Sequence, residues 1–318
     1  MPPPAEPTLA SLPNPVLRYV AATRPAFLSV TFVGALLGLA TAAGSGVSLS
    51  PGLATLTVLF ALFAHAGANV LNDYYDALSG CDAGNQERVF PFTGGSRFIQ
   101  NGVLSAAATG RFGYALLATV IPAGLWLTAA SAPGLIGIGL AGLLVGWAYS
   151  APPCKLQSRG LGELGITAAW LLVVAGADFV QRRDFSFTPV AAGLGYALLV
   201  ANVLYINQFP DVRADAQAGK GTLVVRLGVA RARWGYAVIA ALAYAWLAIM
   251  VLLGHLPPLA LASLLAAAPS VVAARNLLAC ADTPGQLVPG IKLTILAVTV
   301  HGLLLALALV LAPTRAVL

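Results

Sequence analysis

Long apolar stretches recur along the whole chain, and they restrict the fold more than any other feature of the sequence. A run of about 20 apolar residues forms a helix long enough to cross the ~30 Å hydrocarbon core of a membrane. Charged residues make up only 9% of the chain, and hydrophobic residues make up 59%. A soluble domain would carry roughly a quarter charged residues, so a soluble protein is excluded. The sequence predicts an all-α, polytopic membrane helix bundle around a central cavity.

Nine stretches are predicted to span the membrane, and short turn segments separate them. Turn residues mark two of the breaks, at 131–133 and 254–258. The Pro-rich residues 1–14 are predicted to form a disordered cytoplasmic segment, and residues 15–318 a single transmembrane domain. The nine predicted spans are residues 17–43, 52–76, 105–130, 132–151, 161–181, 187–209, 232–254, 257–280 and 290–312.

The basic residues are distributed unevenly between the two sides of this predicted bundle. With nine spans and the N-terminus inside, fourteen of the 17 Lys and Arg residues lie on one side. Only Arg182, Arg183 and Arg315 lie on the other side. Because cytoplasmic loops are enriched in Lys and Arg, the first side is predicted to face the cytoplasm. The net charge of +6 then reflects topology in the inner (cytoplasmic) cell membrane rather than nucleic-acid binding.

Six of the eleven acidic residues lie in two short polar segments, each at the cytoplasmic end of a predicted span. We call residues 69–87 the first acidic segment and residues 207–220 the second acidic segment. Carboxylates are costly beside a bilayer, so their concentration at two such points indicates a function. The acids of the two segments are, in chain order, Asp73, Asp76, Asp82, Glu87, Asp211 and Asp215.

The spacing within both segments predicts one ligand-binding face on each helix. Residues three or four apart share a helix face, as Asp73 and Asp76 do in the first segment and Asp211 and Asp215 in the second. These side chains offer oxygen ligands, which favour Mg²⁺ over Zn²⁺. Mg²⁺ commonly takes one or two carboxylates from a protein and completes its coordination with phosphate oxygens. We therefore predict that the two segments together bind Mg²⁺ and a diphosphate group.

Amide and basic side chains near these acids are candidate partners for the diphosphate. Arg97, Lys155 and Lys220 lie in loops punctuated by Gly or Pro, which favours contact with a ligand. Arg231 and Arg233 are better explained as contacts with lipid headgroups. The predicted diphosphate-binding set is Asn69, Asn72, Arg97, Lys155, Arg159, Asn207 and Lys220.

Aromatic residues accompany both acidic segments, and two explanations stay open for them. Trp and Tyr are enriched at membrane interfaces, where they form an aromatic belt. Aromatic faces also stabilise a cation within ~6 Å, and an allylic carbocation left by a departing diphosphate would need such help. The candidates for a cation-stabilising pocket are Tyr74, Tyr149 and Tyr205.

Three further polar residues lie inside predicted spans, and each has a structural explanation. His65 and His301 are interpreted as hydrogen-bonded histidines of the bundle interior. Asp178 is predicted to pair with Arg182, because residues four apart on a helix are neighbours.

Several motifs together resemble those of the UbiA superfamily of intramembrane aromatic prenyltransferases. They occupy most of the chain, from the first predicted span to the last. The segments that carry the resemblance are Arg24–Pro25, Asn72–Asp76 with Asp82, Pro91–Arg97, Tyr149–Leu156, Arg159–Glu163, Asp211–Asp215 and Gly219–Leu223.

The resemblance implies an enzyme that transfers a polyprenyl group from a polyprenyl diphosphate to an aromatic acceptor, with Mg²⁺ as cofactor. The spacing of the first three aspartates is most similar to that of 1,4-dihydroxy-2-naphthoate polyprenyltransferases of menaquinone biosynthesis. Residues 207–210 differ from the run that those enzymes more often carry, so 4-hydroxybenzoate and homogentisate stay open as acceptors. The residues assigned to catalysis are Asp73, Asp76, Asp211 and Asp215, and those assigned to the metal are the same four with Asp82.

Two other classes of membrane protein remain as alternatives. A multi-span transporter is expected to carry acids near the membrane midplane in broken helices, whereas the acids here lie at predicted helix ends. A non-catalytic protein that binds lipid or a partner would not need two complete sets of metal ligands.

Overall fold

The computed structural model describes residues 5–312 as a bundle of nine long helices, and no strand occurs in that part of the chain. The all-α fold predicted from the sequence is therefore confirmed. The long helices are α1 (Pro25–Gly44), α2 (Pro51–Ser79), α3 (Ala106–Ala130), α4 (Leu135–Ser150), α5 (Gly162–Arg182), α6 (Thr188–Gln217), α7 (Gly235–Leu252), α8 (Ala267–Cys280) and α9 (Val288–Leu311). Shorter helical segments are Pro15–Ala22, Cys81–Gly84, Leu156–Arg159, Leu223–Leu227, Val229–Ala232, Pro258–Ala266 and Pro284–Leu287.

The lengths and compositions of these helices fit an integral membrane protein. Among the described residues, eight helical segments are long and apolar enough to cross a membrane. The ninth, α4, is apolar but only 16 residues long. Arg315, one of the three basic residues expected on the side opposite the acidic segments, lies outside the described residues.

The prediction of one continuous first span, residues 17–43, is wrong at its start, because two helices replace it. The short helix Pro15–Ala22 ends before Thr23, and α1 begins at Pro25. Arg24 between them has a left-handed backbone conformation (φ 57°), which a right-handed helix cannot contain. Proline is favoured at the first position of a helix, so Pro25 is the sequence feature that indicates the start of α1.

The helices that carry the acidic segments extend beyond their predicted ends. α2 continues to Ser79 and is ended by Gly80, whose φ of 76° is a conformation that glycine adopts without steric cost. α6 continues through Pro210 to Gln217, so the proline removes a backbone donor without ending the helix. Asp73, Asp76, Asp211 and Asp215 therefore project from turns of α2 and α6, and Asp82 projects from the short helical segment Cys81–Gly84 that follows Gly80.

Helix α6 lies at the centre of the bundle. About 78% of its most apolar 18-residue window is buried, compared with 11% for α3 at the periphery. It packs against α5 and α7, and it also contacts α1 and α9. Protein interiors are densely packed, so a helix with this many neighbours has little freedom to move. The second acidic segment therefore projects from the best-supported helix of the bundle.

Helices α1 and α5 approach each other closely. A Cβ at Gly38 would overlap the carbonyl oxygen of Val174, so the close approach needs a glycine. One turn further along α5, Asp178 accepts hydrogen bonds from Arg182 (2.7 Å) and from Thr41 of α1 (2.9 Å). The predicted pair of Asp178 and Arg182 is thus confirmed, and it also joins the two helices.

The segment before the first helix contacts the rest of the protein from residue 5 onward. Glu6 forms an ion pair with Arg88 (Oε1 to Nε, 2.7 Å), and Pro7 is buried. These contacts differ from the disordered segment predicted for residues 1–14. Residues 1–4 of that segment lie outside the described residues.

Candidate active site

Two adjoining cavities lie inside the bundle near the acidic segments. A polar cavity of about 200 Å³ lies between the ends of α2 and α6. An apolar cavity of about 360 Å³ lies among α2, α3, α4 and α5, and its wall includes Gly139, Gly142 and Gly146 of α4. His65 and Trp170 line both cavities, so a ligand could occupy the two together.

Asp76 receives hydrogen bonds from α2 and from the connection between α4 and α5. Asn72, one turn earlier on α2, donates to Asp76 Oδ2 (3.1 Å). Gln157 donates to Asp76 Oδ1 (3.5 Å). Both amides also donate to Ser150 Oγ at the end of α4 (3.2 Å each). This network fixes the carboxylate of Asp76 at the wall of the polar cavity.

The loop between α2 and α3 (residues 80–105, the α2–α3 loop) folds over Asp73 and brings Asp82 to the cavity. Both carboxylate oxygens of Asp73 accept from the backbone N–H of Ser96 (3.2 Å each). Gly95 lies between Asp73 and Asp82 with φ 73°, and a Cβ there would overlap Asp82 Oδ2. Glycine is required here, because both the backbone conformation and the lack of space exclude a side chain.

The second acidic segment contacts the same loop. Asp211 accepts from Asn85 Nδ2 (2.6 Å) and from the backbone N–H of Gly94 (3.4 Å). Asp215 Oδ1 accepts from the thiol of Cys81 (2.9 Å). Burial raises the pKa of the Cys81 thiol, so the sulfur stays protonated and acts as a donor rather than a nucleophile. Both aspartates of α6 are therefore held by residues of the α2–α3 loop.

Lys220 joins the two acidic segments directly. Its Nζ lies 2.8 Å from Asp76 Oδ2 on α2 and 3.6 Å from Asp215 Oδ1 on α6. The lysine side chain is only 13% exposed, so both ion pairs are largely shielded from solvent. One cation between carboxylates from distant parts of the chain shows that the two acidic segments meet at one place.

Negative charge exceeds positive charge at this meeting point. Burial, followed by the carboxylates of Asp76 and Asp73, raises the pKa of Asp82 to about 8. Burial alone would lower the pKa of Lys220, but the carboxylates of Asp76 and Asp215 raise it well above its usual range. Lys220 therefore stays charged, and the remaining excess of carboxylates favours a further cation.

The donors around the polar cavity fit Mg²⁺ by their chemistry. Within residues 5–312, no three His, Cys, Asp or Glu side chains converge closely enough to hold a metal ion by themselves. Mg²⁺ does not require such a cage, because it usually combines one or two carboxylates with water and phosphate oxygens. Asp82 Oδ2 and Asn207 Oδ1 are buried atoms of cavity-lining residues, and neither has a hydrogen-bond partner among the described residues.

Most of the predicted site residues line the polar cavity. Since they come from both acidic segments and from the end of α4, the predicted convergence is present in the fold. Their roles in catalysis and binding stay predictions. The predicted residues that line the cavity are Asn69, Asn72, Asp76, Asp82, Tyr149, Asn207, Asp211, Asp215 and Lys220.

Three of the basic residues predicted to bind diphosphate point elsewhere. Arg97 donates to the backbone carbonyl of Asp82 (2.5 Å) and does not line the cavity. Lys155 is exposed, and Arg159 donates to the carbonyl of Pro153 (2.9 Å). Arg97 and Lys155 both have positive φ angles, and the direction of a side chain on such a turn depends on the folded loop.

Three residues predicted to project from helices into the site also lie outside the cavity lining. Asp73 faces Ser96, as described above. Tyr74 packs against Gly110 of α3, and Tyr205 donates its hydroxyl to the Ala232 carbonyl (2.6 Å) in the core. On a helix, a step of one or two residues turns a side chain away from the face that its neighbours share.

Sequence reasoning missed several cavity residues. Gln208 donates to Glu163 of α5 and accepts from the backbone N–H of Val224 (3.2 Å), which ties α6 to the segment after Lys220. The position of Gln208 beside Asn207, in the second acidic segment, could have indicated from the sequence that it lies at the site. Trp170 gave no such signal, because a tryptophan inside an apolar helix is usually a packing residue.

A model of the UbiA prenyltransferase family matches residues 31–288 of the chain. Among curated relatives, the 1,4-dihydroxy-2-naphthoate octaprenyltransferase of Mycobacterium tuberculosis is 33% identical over 193 residues, which cover 60% of this chain and 63% of the relative. The enzyme of the same name from Bacillus subtilis is 27% identical over 301 residues, 92% of each chain. The chain thus spans just under two thirds of the Mycobacterium relative and nearly all of the Bacillus relative.

Solved structures share the fold at low sequence identity. A digeranylgeranylglyceryl phosphate synthase superposes with a TM-score of 0.63 at 16% identity, covering 93% of this chain and 98% of the other. A UbiA homologue from Archaeoglobus fulgidus bound to DMAPP and Mg²⁺ superposes with a TM-score of 0.58 at 18% identity, covering 91% and 99%. At these identities the superpositions show a common helical architecture.

Proposed function

The chain belongs to the UbiA prenyltransferase family, and from that membership we propose that it transfers a polyprenyl group from polyprenyl diphosphate to an aromatic acceptor. The proposed acceptor is 1,4-dihydroxy-2-naphthoate, which the relatives from M. tuberculosis and B. subtilis carry in their names. The proposed pathway is menaquinone biosynthesis. The proposed cofactor is Mg²⁺, which accompanies DMAPP in the A. fulgidus structure.

One observation supports this proposal more than any other. Lys220 lies between Asp76 and Asp215 at a polar cavity that adjoins a larger apolar cavity. A polyprenyl diphosphate has the matching form, with a charged head that needs cations and a long hydrocarbon tail. The acids lie at helix ends rather than at the middle of broken helices, which disfavours a transporter.

The side chains of the polar cavity divide into metal-binding and phosphate-binding groups. We assign Mg²⁺ to the carboxylates Asp76, Asp82, Asp211 and Asp215, with Asn207 as a further oxygen donor. When bound, Mg²⁺ neutralises the diphosphate and stabilises the charge that develops on it as a leaving group. Lys220 is assigned to the diphosphate itself, because its charged Nζ already lies at the cavity wall. Asp73 is left out of this assignment, because both of its carboxylate oxygens accept from the backbone N–H of Ser96. Its role as a metal ligand stays a prediction from the sequence.

The proposed reaction breaks the bond between the first carbon of the prenyl chain and the diphosphate oxygen. The electron pair leaves with the diphosphate, and the allylic carbon becomes cationic. Tyr149 and Trp170 line the cavity and supply aromatic faces that stabilise such a cation. In a naphthoate acceptor, the ring carbon that bears the carboxylate then forms a bond to the allylic carbon. The ring regains aromaticity when the bond to the carboxylate breaks, its electron pair returns to the ring and CO₂ leaves. The α2–α3 loop over the site limits capture of the cation by water.

We propose that the end of the bundle that carries the acidic segments faces the cytoplasm of the cell, in the inner membrane. The uneven distribution of Lys and Arg in the sequence supports this orientation. A water-soluble aromatic acceptor would then reach the polar cavity from the cytoplasm, and the lipid-soluble prenyl diphosphate would enter from the bilayer.

An assay on membranes that contain the chain tests the proposal. Labelled geranylgeranyl diphosphate or a longer polyprenyl diphosphate is incubated with Mg²⁺ and, in separate samples, with 1,4-dihydroxy-2-naphthoate, 4-hydroxybenzoate or homogentisate. We expect diphosphate release and a labelled product with the naphthoate. Product with another acceptor alone would overturn the assigned acceptor. No product with any acceptor would overturn the assignment as an aromatic prenyltransferase.

A further inference from the structure

Residues 5–24, which we call the N-terminal strap, lie against the α2–α3 loop that carries Asp82. We propose that the strap holds Asp82 in place for ligand binding and that Glu6 is the positioning residue that fastens it. The inference rests on the proposed function, because it concerns the binding of Mg²⁺ beside that loop.

One end of the strap is fastened to the loop by the carboxylate of Glu6. Its Oε1 accepts from Arg88 Nε (2.7 Å), and its Oε2 accepts from Asn101 Nδ2 (3.1 Å) and lies 3.6 Å from Arg97 Nε. Two hydrogen-bond donors and a second cation, from separate parts of the loop, thus meet on one carboxylate. Because Arg88 and Arg97 carry like charges, Glu6 also offsets the repulsion between them.

Apolar packing continues the contact along the middle of the strap. Pro7 is buried, and its carbonyl accepts a second hydrogen bond from Asn101 (3.1 Å). Leu12 packs against a small core that the loop contributes. The buried loop residues of that core are Phe98, Val103 and Leu104.

The other end of the strap is fastened at Arg24. Its guanidinium donates to the backbone carbonyl of Phe92 (2.9 Å), near the glycines that contact the carboxylates. The carbonyl of Thr23 accepts from Asn69 of α2 (3.1 Å). The loop is therefore held by the strap on both sides of the segment that faces the polar cavity.

Arg97 connects Glu6 to the candidate metal ligand. The Arg97 side chain is 9% exposed, lies beside Glu6 and donates through a terminal nitrogen to the backbone carbonyl of Asp82 (2.5 Å). Removal of the Glu6 carboxylate leaves the buried Arg97 without its nearest counter-charge, and such a group is expected to shift toward solvent. The hydrogen bond to Asp82 would be lost with it, and Asp82 would no longer be held at the cavity.

Hydrogen–deuterium exchange on the purified full-length protein, with inorganic diphosphate present to complete the coordination of Mg²⁺, tests this inference without prenyl transfer. Glu6→Ala is compared with the wild type, and Asp184→Asn serves as a matched control, because it removes an exposed carboxylate far along the sequence from the strap. In Glu6→Ala we expect faster exchange of peptides covering residues 80–101, by about 2–10-fold for the loss of an ion-pair network. The Mg²⁺ concentration that gives half-maximal protection of these peptides should rise by a similar factor. Asp184→Asn should match the wild type in both measurements.

Two further measurements separate positioning from general stability. Glu6→Asp, which keeps the charge, should recover part of the Mg²⁺ affinity lost in Glu6→Ala. In the transfer assay, Glu6→Ala should raise the half-saturating Mg²⁺ concentration while kcat at saturating Mg²⁺ changes less than about twofold.

The inference is overturned if the loop of Glu6→Ala exchanges at the wild-type rate. It is also overturned if exchange increases but half-maximal Mg²⁺ protection stays at the wild-type concentration, because the strap would then hold the loop without affecting the ligand. Absence of prenyl transfer in the wild type would count against the proposed function, and the exchange measurements would still decide on the strap.

Discussion

The two acidic segments reach the same cavity by different structural means. Asp211 and Asp215 project from α6, the most buried helix of the bundle, and a buried helix fixes their positions. Of the aspartates in the first segment, only Asp76 lines the cavity from a long helix, whereas Asp82 comes from the short helical segment at the start of the α2–α3 loop. The positions of the aspartates in the second segment are therefore determined by the packed core of the bundle. The position of Asp82 in the first segment depends on individual contacts, each of which can be removed by a single substitution.

The largest expected effect comes from removing one acid of each segment. Asp76→Ala and Asp215→Ala should each lower product formation by at least about 10²–10³-fold, the usual loss when a group that stabilises the leaving charge is removed. Product formation in membranes containing equal amounts of each variant measures this. Near-normal turnover in both variants would show that the meeting of the two segments is not the site of the reaction.

A second comparison concerns the lysines. Lys220→Met should lower kcat/KM by about 10²-fold, because it removes a buried charge at the cavity. Lys155→Met should change kcat/KM by less than about threefold, because Lys155 is exposed and outside the cavity lining. Steady-state kinetics with prenyl diphosphate as the varied substrate measures both. An equally large loss in Lys155→Met would restore the role that the sequence assigned to it.

Two glycines with positive φ give a matched test of the loops. Gly95→Ala should lower activity about tenfold or more, because the new Cβ collides with Asp82 as well as straining the backbone. Gly219→Ala has the same backbone strain but open space around the Cβ, so it should cost only about 1 kcal/mol of stability. Activity and thermal unfolding of both variants separate collision from strain. Equal activity losses would indicate that strain alone matters.

The smallest expected effect is a pH dependence specific to the first segment. The pKa of Asp82 is raised to about 8, so below that pH a proton competes with Mg²⁺ for this carboxylate. Apparent Mg²⁺ affinity should therefore rise with pH, by about fivefold between pH 7 and 8. Half-saturating Mg²⁺ measured across that range tests this, and Asp82→Asn should remove most of the dependence. An unchanged slope in Asp82→Asn would assign the titration to another group.

The sequence predicted the architecture and the meeting of the two acidic segments, because both depend on regular helix geometry. Apolar length located the nine long helices, apart from the start of the first, and the four-residue spacing located the pair of Asp178 and Arg182. The same geometry placed Asp76 and Asp215 at the ends of two helices on one side of the bundle. Helical periodicity carries this information without knowledge of the tertiary contacts.

The remaining site residues could not be predicted, because their positions depend on contacts between distant segments. Arg97 and Lys155 lie on turns with positive φ, and their side chains follow the local fold of each loop. Gln157 lies between two basic residues that were predicted to bind the diphosphate. It reaches Asp76 only because the segment after α4 folds back over α2. Tyr205 is one residue from a cavity-lining leucine, yet its hydroxyl reaches a carbonyl of the core.

The glycines of α4 have a consequence for how the apolar cavity discriminates among hydrocarbon chains. Among residues 5–312, no atom from beyond the adjoining backbone of α4 lies within 4 Å of where a Cβ would be at Gly139, Gly142 or Gly146, so this part of the wall is smooth and lacks ridges that could recognise a branching pattern. A prenyl tail that enters from the bilayer leaves lipid rather than water, so its transfer to such a surface gains little hydrophobic free energy. Affinity should therefore change little with the number of isoprene units as long as the chain fits the apolar cavity.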